Sequence, residues 1–194
     1  QSRNRLPLLV GGSGLYVWSV IEGWKIPEVP PDSEFRHNLE DKAKKEGYYA
    51  LYEELRKVDP VAAQKIIPTN LRRVIRALEI FKATGSPASQ LWRKEVPSFP
   101  ALIIGLTSER GELYQRIDLR VDKMIKDGLV EETQNLLARG YSLKLPSMSG
   151  IGYRQIGMFL QGKSDLSSAV QRIKYETHRL ARYQFAWFRL QDSR

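Results

Sequence analysis

The chain has 194 residues, 42% of them hydrophobic and 27% charged, proportions ordinary for a soluble globular protein able to bury a core. It has no cysteine and only His37 and His178, which excludes disulfides and thiolate metal sites and argues against histidine-based metal or relay chemistry. Lysine and arginine number 31 against 22 acids, a net charge of +9 that favours a polyanionic partner such as nucleic acid.

The opening "QSRNRLPLLVGGSGLYVWSVI" sets arginines before an apolar run, as a secretion signal does, but "GGSG" splits the run and no small-residue cleavage site follows. No segment reaches the roughly 18 apolar residues of a membrane helix, so a soluble protein of the reducing cytoplasm is expected. The chain starts without Met on a charged scrap and an apolar strand, and reads as a piece cut from something longer. "LPLLV" predicts a buried strand ended by Gly11 and Gly12; helical spacing resumes at Leu15, Trp18 and Ile21 and stops near Gly23. The proline-rich "KIPEVPPDSEF" is a connector. Asp32 or Ser33 is placed to cap the helix "EFRHNLEDKAKKEG". "YYALYEELRKVD" and "PVAAQKII" follow as short helices, with Pro60 at a helix start. Thr69 or Asn70 then caps "LRRVIRALEIFKATG", which Gly85 ends. After the loose connector "SPASQLWRKEVPSFP", "ALIIGLTS" is the second predicted buried strand. Helices follow over "RGELYQRIDLRVDKMIKDG" and "LVEETQNLLARG", near "RQIGMFLQG", and from Leu166 onward. Strands on either side of a helical block predict an α/β core, residues 1–24 and 99–194, with a helical insertion over 25–98, mostly α by residue count. Two strands make a poor sheet alone, so further strands N-terminal to residue 1 are expected.

Five stretches carry residues suited to chemistry. The "GGSG" loop lacks the lysine of a Walker A motif, and Leu15 stands where a nucleophile elbow needs glycine. What remains is a loop of backbone N–H groups and the Ser13 hydroxyl at a helix start; it suits an anionic oxygen, and equally a tight ligand-free turn. In "LYQRIDLRVDKMI", Leu113, Ile117, Val121 and Met124 form an apolar stripe, with Arg120 inside or beside it and Arg116 one turn earlier. A guanidinium there must be paired, either with a carboxylate or with a ligand phosphate. In the last helix, Arg172, Tyr175, Arg179, Arg182, Ala186 and Arg189 recur at alternating spacings of three and four, within an arc of about 100°. Ile173, Leu180 and Trp187 lie opposite. Such a stripe, with Glu176 as its only acid, fits a phosphate backbone better than random solvated charge. Arg72, Arg73 and Arg76 form a second basic face, with Glu79 placed to pair with Arg76, and the glycine-punctuated "SMSGIGYRQ" suits close approach to RNA.

Together, "PLLVGGSGLY", "DPVAAQKIIPTNLRRVIRALEIFKATG", "LYQRIDLRVDKMIKDGLVEE", "PSMSGIGYRQ" and "RLARYQFAWFR" resemble, in order, the motifs of the tRNA dimethylallyltransferases, the IPP transferase family. The resemblance implies a P-loop-like α/β core with a helical insertion, and transfer of a dimethylallyl group to N6 of the adenosine beside the anticodon, flipped into a channel. It implies dimethylallyl diphosphate and the tRNA anticodon stem-loop as partners, Mg²⁺ as cofactor, and a monomer. Ser13 stands where the family usually has Thr, at the reacting centre or its metal-bound diphosphate; Arg120, supported by Arg116, matches the diphosphate-gripping arginine, with Gly11 and Gly12 lining the loop. Arg72, Arg73 and Arg76 match tRNA-contacting positions, as do Gly150, Gly152, Tyr153 and Arg154. So does the stretch from Arg182 to Arg189, with Gln184 and Trp187, whereas Tyr183 and Ala186 depart from the commoner residues; Arg172 and Arg179 join the expected tRNA surface through the helical stripe. The family's lysine-bearing phosphate loop and its proton-accepting aspartate precede the "GGSG" strand and are not in this sequence, so the chain alone is expected to bind tRNA without modifying it. The alternatives are a non-catalytic tRNA-binding module and an adenylate prenyltransferase; the basic stripe of the last helix argues against the second.

Overall fold

Ten α-helices, one 3-10 turn and a two-stranded ribbon make up the regular structure of residues 5–95 and 99–189, the residues that this computed structural model describes. The opening positions 1–4, the connector positions 96–98 and the terminal positions 190–194 lie outside the described residues. The described residues fall into two units, one holding residues up to Gly11 and Leu15–Ala101, the other Gly12–Gly14 and Leu102 onward.

In the first unit, α1 (Gly14–Ile21) leads to β1 (Trp24–Lys25), and α2 (Ser33–Glu46), α3 (Tyr48–Val58), α4 (Pro60–Lys65), α5 (Leu71–Thr84) and α6 (Ala88–Leu91) follow before β2 (Arg93–Lys94). β1 and β2 pair antiparallel, Trp24 opposite Lys94 and Lys25 opposite Arg93. Caps decide the helix ends. The Asp32 side chain accepts from the Phe35 N–H at 2.9 Å, and Asn70 from Arg73 at 3.4 Å. Gly85, at φ 69°, closes α5 in the left-handed region that favours glycine. Asp59 caps α4 through the Ala62 N–H at 2.9 Å and also accepts from the Ser89 N–H at 2.8 Å and hydroxyl at 2.6 Å, tying α4 to α6. The apolar face of α5 (Val74, Ile75, Leu78) buries Leu39 of α2, Leu51 and Leu55 of α3 and Ala63 of α4. Each fully buried aliphatic side chain contributes about 1.5–3 kcal/mol.

Two acids are buried in this unit, Asp59 at the α4 cap and Glu79. Glu79 of α5 is 1% exposed and accepts from the Asp32 N–H at 2.8 Å, Arg36 Nε at 2.7 Å and Arg76 Nη1 at 2.5 Å. Burial pushes its carboxyl up, but the bonds from Arg36, Arg76 and Asp32 outweigh this and hold it at about 2. Two guanidiniums and a backbone N–H on one carboxylate lock α2 to α5.

In the second unit, α7 (Arg110–Lys126), α8 (Leu129–Ala138), the 3-10 turn Pro146–Ser149, α9 (Tyr153–Leu160) and α10 (Leu166–Trp187) enclose Val121, Leu129, Ile156, Ala169 and Ile173. α10 packs on both α7 and α9. The α7–α10 seam carries the Lys174–Asp122 ion pair at 2.7 Å, His178 Nε2 lies 2.9 Å from Asp118 Oδ1, and the Tyr114 ring stacks on His178 at 4.1 Å. Gly157 is a close-packing position, since a Cβ there would lie 2.4 Å from Leu143 Cδ2.

The two predicted buried strands are not strands. Residues 5–10 and 101–108 have no regular structure, and Leu6, Val10, Leu102 and Leu106 are 84%, 91%, 89% and 96% exposed. A strand is made by its ladder partners, and these segments pair with nothing among the described residues. Where an α/β core was expected, the described structure is helical with one small ribbon. No described helix is long and apolar enough to cross a membrane.

Candidate functional site

The glycine loop ends where α1 begins. Ser13 is exposed, and its hydroxyl makes no hydrogen bond among the described residues, so the oxygen is available to a ligand. Gly11 has open space around it. Gly12 and Gly14 do not. A Cβ on Gly12 would lie 2.5 Å from Gln184 Nε2, and one on Gly14 would lie 2.2 Å from Trp187 Cδ2. The Gln184 amide ends a flexible side chain and could swing aside, but the Trp187 ring is half-buried and Gly14 is buried beneath it. The structure therefore brings Gln184 and Trp187, expected on tRNA, against the loop. The alternation of small loop residues with large residues at a distant helix end is invisible to periodicity.

Arg116 and Arg120 are exposed on α7, and neither has an acid partner among the described residues. Val121 faces the core at 2% exposure, and Arg120 falls on the solvent flank of that stripe. The requirement for an internal carboxylate, raised by placing Arg120 within the stripe, therefore lapses. Two uncompensated guanidiniums one helical turn apart suit a diphosphate.

On α10 the basic face is real but not uniform. Arg172 pairs with Glu176 at 2.8 Å and lies over the Tyr175 ring at 5.4 Å. Arg179 reaches the same Glu176 at 3.8 Å and donates to the Tyr183 hydroxyl at 3.1 Å, the bond that chiefly raises its pKa. Arg182 donates to the Tyr114 hydroxyl at 3.3 Å, and neither it nor Arg189 has an acid partner among the described residues. Tyr175 and Tyr183 are 51% and 54% exposed, rings open to stacking. Ile173 is buried as expected, but Leu180, placed on the same apolar side, is 46% exposed.

The other basic positions divide similarly. Arg72 and Arg73 are exposed at the start of α5 without acid partners among the described residues. Arg76, one turn on, is committed to Glu79 and donates to the Val29 carbonyl at 2.9 Å. In the loop before α9, Gly150 is exposed and Gly152, at φ 108°, starts the helix, its N–H held by Gln155 Oε1 at 2.9 Å. The Tyr153 ring packs on the second unit's core and its hydroxyl donates to Glu132, the bond that raises its pKa, so it offers less surface to a base than expected. Arg154 is exposed and has no acid partner among the described residues. No cluster of three His, Cys, Asp or Glu side chains able to hold a metal occurs among the described residues.

The sequence model of the IPP transferase family matches residues 1–191. The tRNA dimethylallyltransferase of Dehalococcoides mccartyi is 51% identical over 192 residues, covering 99% of this chain and 59% of that protein. That of Thermomicrobium roseum is 52% identical, over 97% of this chain and 57% of that protein. The chain thus spans less than two thirds of the length of these relatives. Among solved structures, the tRNA isopentenylpyrophosphate transferase of Bacillus halodurans is 42% identical, with a TM-score of 0.60 over 98% of this chain and 59% of its own. A eukaryotic dimethylallyltransferase acting on tRNA is 27% identical, with a TM-score of 0.69 over 96% of this chain and 48% of its own.

Proposed function

Because this chain belongs to the IPP transferase family, we propose that it carries the diphosphate loop and much of the RNA-contacting surface of a tRNA prenyltransferase. The reaction moves a dimethylallyl group from its diphosphate to N6 of the adenosine beside the anticodon. The C–O bond to diphosphate breaks, the C–N bond to N6 forms, and N6 loses a proton. Negative charge gathers on the leaving diphosphate, and groups pre-placed toward it lower the barrier. The Ser13 hydroxyl and the N–H groups of the loop supply such donors on one side, and Arg120 with Arg116 supplies charge. Arg72, Arg73, Arg154, Arg182 and Arg189 hold RNA phosphates, and Tyr175 and Tyr183 offer rings for stacking. On this proposal the apolar segments 6–10 and 102–106, irregular in the described structure, take up strand form in a P-loop-type sheet once their backbone groups find ladder partners.

Mg²⁺ fits as an ion carried by the substrate. The Ser13 hydroxyl is the group of this loop that would hold it beside the diphosphate. When bound it neutralises diphosphate charge.

The observation that carries this proposal is the set of exposed arginines without acid partners among the described residues, together with a Ser13 hydroxyl on a glycine loop that makes no hydrogen bond among them. The test is incubation of the protein expressed from its own gene with labelled dimethylallyl diphosphate, Mg²⁺ and unmodified tRNA. Label on tRNA adenosine is expected, with none on free AMP. Label on AMP alone would favour a nucleotide prenyltransferase, and tRNA binding without transfer would favour a binding module.

A further inference from the structure

The end of α10 stands in the space that side chains on the glycine loop would need. The Trp187 ring lies where a Gly14 Cβ would meet Cδ2 at 2.2 Å and Cγ at 2.3 Å, and the Gln184 amide lies where a Gly12 Cβ would meet Nε2 at 2.5 Å. These two glycines flank Ser13, whose hydroxyl remains free. Gly14 has no positive φ that would otherwise demand glycine, so close approach is the physical reason for glycine at this position.

We propose that Trp187 and Gln184 are positioning residues for the diphosphate loop: α10 seats the backbone on both sides of Ser13 and so aims its hydroxyl and N–H groups. This rests on the diphosphate role given to that loop above. A flexible glycine loop pays ordering entropy each time it closes on a ligand, and a rigid seat removes much of that cost. The fit is steric, so only a small residue suits position 14 while tryptophan stands at 187. A displacement of about 1 Å in such a group costs on the order of a hundredfold in rate.

The test is a size-exchange cycle in the protein expressed from its own gene: Gly14→Ala, Trp187→Ala and the double variant. Three quantities are measured: the affinity for inorganic pyrophosphate with Mg²⁺ by calorimetry, kcat and KM for dimethylallyl diphosphate, and the tRNA Kd. Gly14→Ala should weaken pyrophosphate binding and lower kcat/KM for the prenyl donor by at least about tenfold, with tRNA Kd within about threefold. Trp187→Ala should do likewise because the seat is lost. The double variant should be no worse than either single, since removing the ring makes room for the added methyl. A double variant whose losses multiply would overturn the proposal. So would a Trp187→Ala defect confined to tRNA Kd, which would make Trp187 an RNA contact. Gln184→Ala, at the softer contact, should show a smaller loss in the same direction; a loss confined to tRNA would overturn its part. Wild-type protein that transfers prenyl groups while the variants match it would refute the seat alone. Wild-type protein that neither binds pyrophosphate nor transfers would remove both the seat and the diphosphate reading.

Discussion

Replacing Glu79 by Gln should separate the structural arginines from those free for RNA. The carboxylate is 1% exposed, is held by two guanidiniums and one backbone N–H, and is kept at about 2 against an ordinary 4.5. A carboxyl held that far below its ordinary value contributes about 3 kcal/mol of folding stability. The folded value lies below the unfolded one, so this contribution is fully present above about pH 4.5 and fades as pH falls through about 2. A neutral amide in that place could not compensate Arg36 and Arg76, and breaking a buried pair typically costs about 3–5 kcal/mol. Glu79→Gln should therefore lose about 3 kcal/mol at pH 7 in urea unfolding followed by circular dichroism. The gap between wild type and variant should shrink toward zero as pH approaches 2, where wild-type Glu79 takes up its proton. A gap below about 1 kcal/mol at pH 7, or one that stays constant down to about pH 2, would refute the reasoning. In either case the carboxylate would not be the lock between α2 and α5.

The remaining predictions concern function and one cap. Arg72→Ala and Arg182→Ala should each lower the slope of log tRNA affinity against log salt by about one, whereas Arg76→Ala should leave the slope unchanged and reduce stability. Filter binding from low to moderate salt reads the first effect and urea unfolding the second. Arg120→Ala should weaken dimethylallyl diphosphate binding, leave tRNA Kd within about threefold and leave the urea midpoint in place, because tRNA affinity comes from other phosphate contacts. Loss of folding in Arg120→Ala would make Arg120 a structural ion pair and not a diphosphate ligand. Asp59→Ala should cost about 2–3 kcal/mol in thermal unfolding, since it removes the α4 cap and leaves two Ser89 donors unpaired.

Much of the helical order was legible because its signals are local. Asp32, Asn70, Pro60 and Gly85 each act within one turn, and each stands at the helix end expected of it. The segments "LPLLV" and "ALIIGLTS" misled because an apolar run states only that burial is wanted, while a strand also needs neighbours for its backbone groups. Glu79 was foreseen only as a partner of Arg76; its bond to Arg36 spans 43 positions and leaves no periodic trace. The arginines of α10 were visible as a stripe, but which are compensated depends on Glu176 and Tyr114, and the latter lies on another helix. The resemblance places Gln184 and Trp187 on RNA, while their small-against-large fit with Gly12 and Gly14 joins distant positions and leaves no periodic trace.

The exposed apolar segments bear on the chain's behaviour in solution. Residues 6–10 and 102–106 present branched aliphatic side chains beside unpaired N–H and carbonyl groups, which is what an adhesive strand edge offers to another molecule. Against this stands the charge of +9, which keeps like copies apart over roughly 10 Å at 0.1 M salt and over about 3 Å at 1 M. Colloidal repulsion and strand adhesion are therefore opposed, and salt weakens only the first. Turbidity should rise along the same salt titration that releases RNA, so loss of soluble protein and loss of affinity will run together unless light scattering is recorded beside binding.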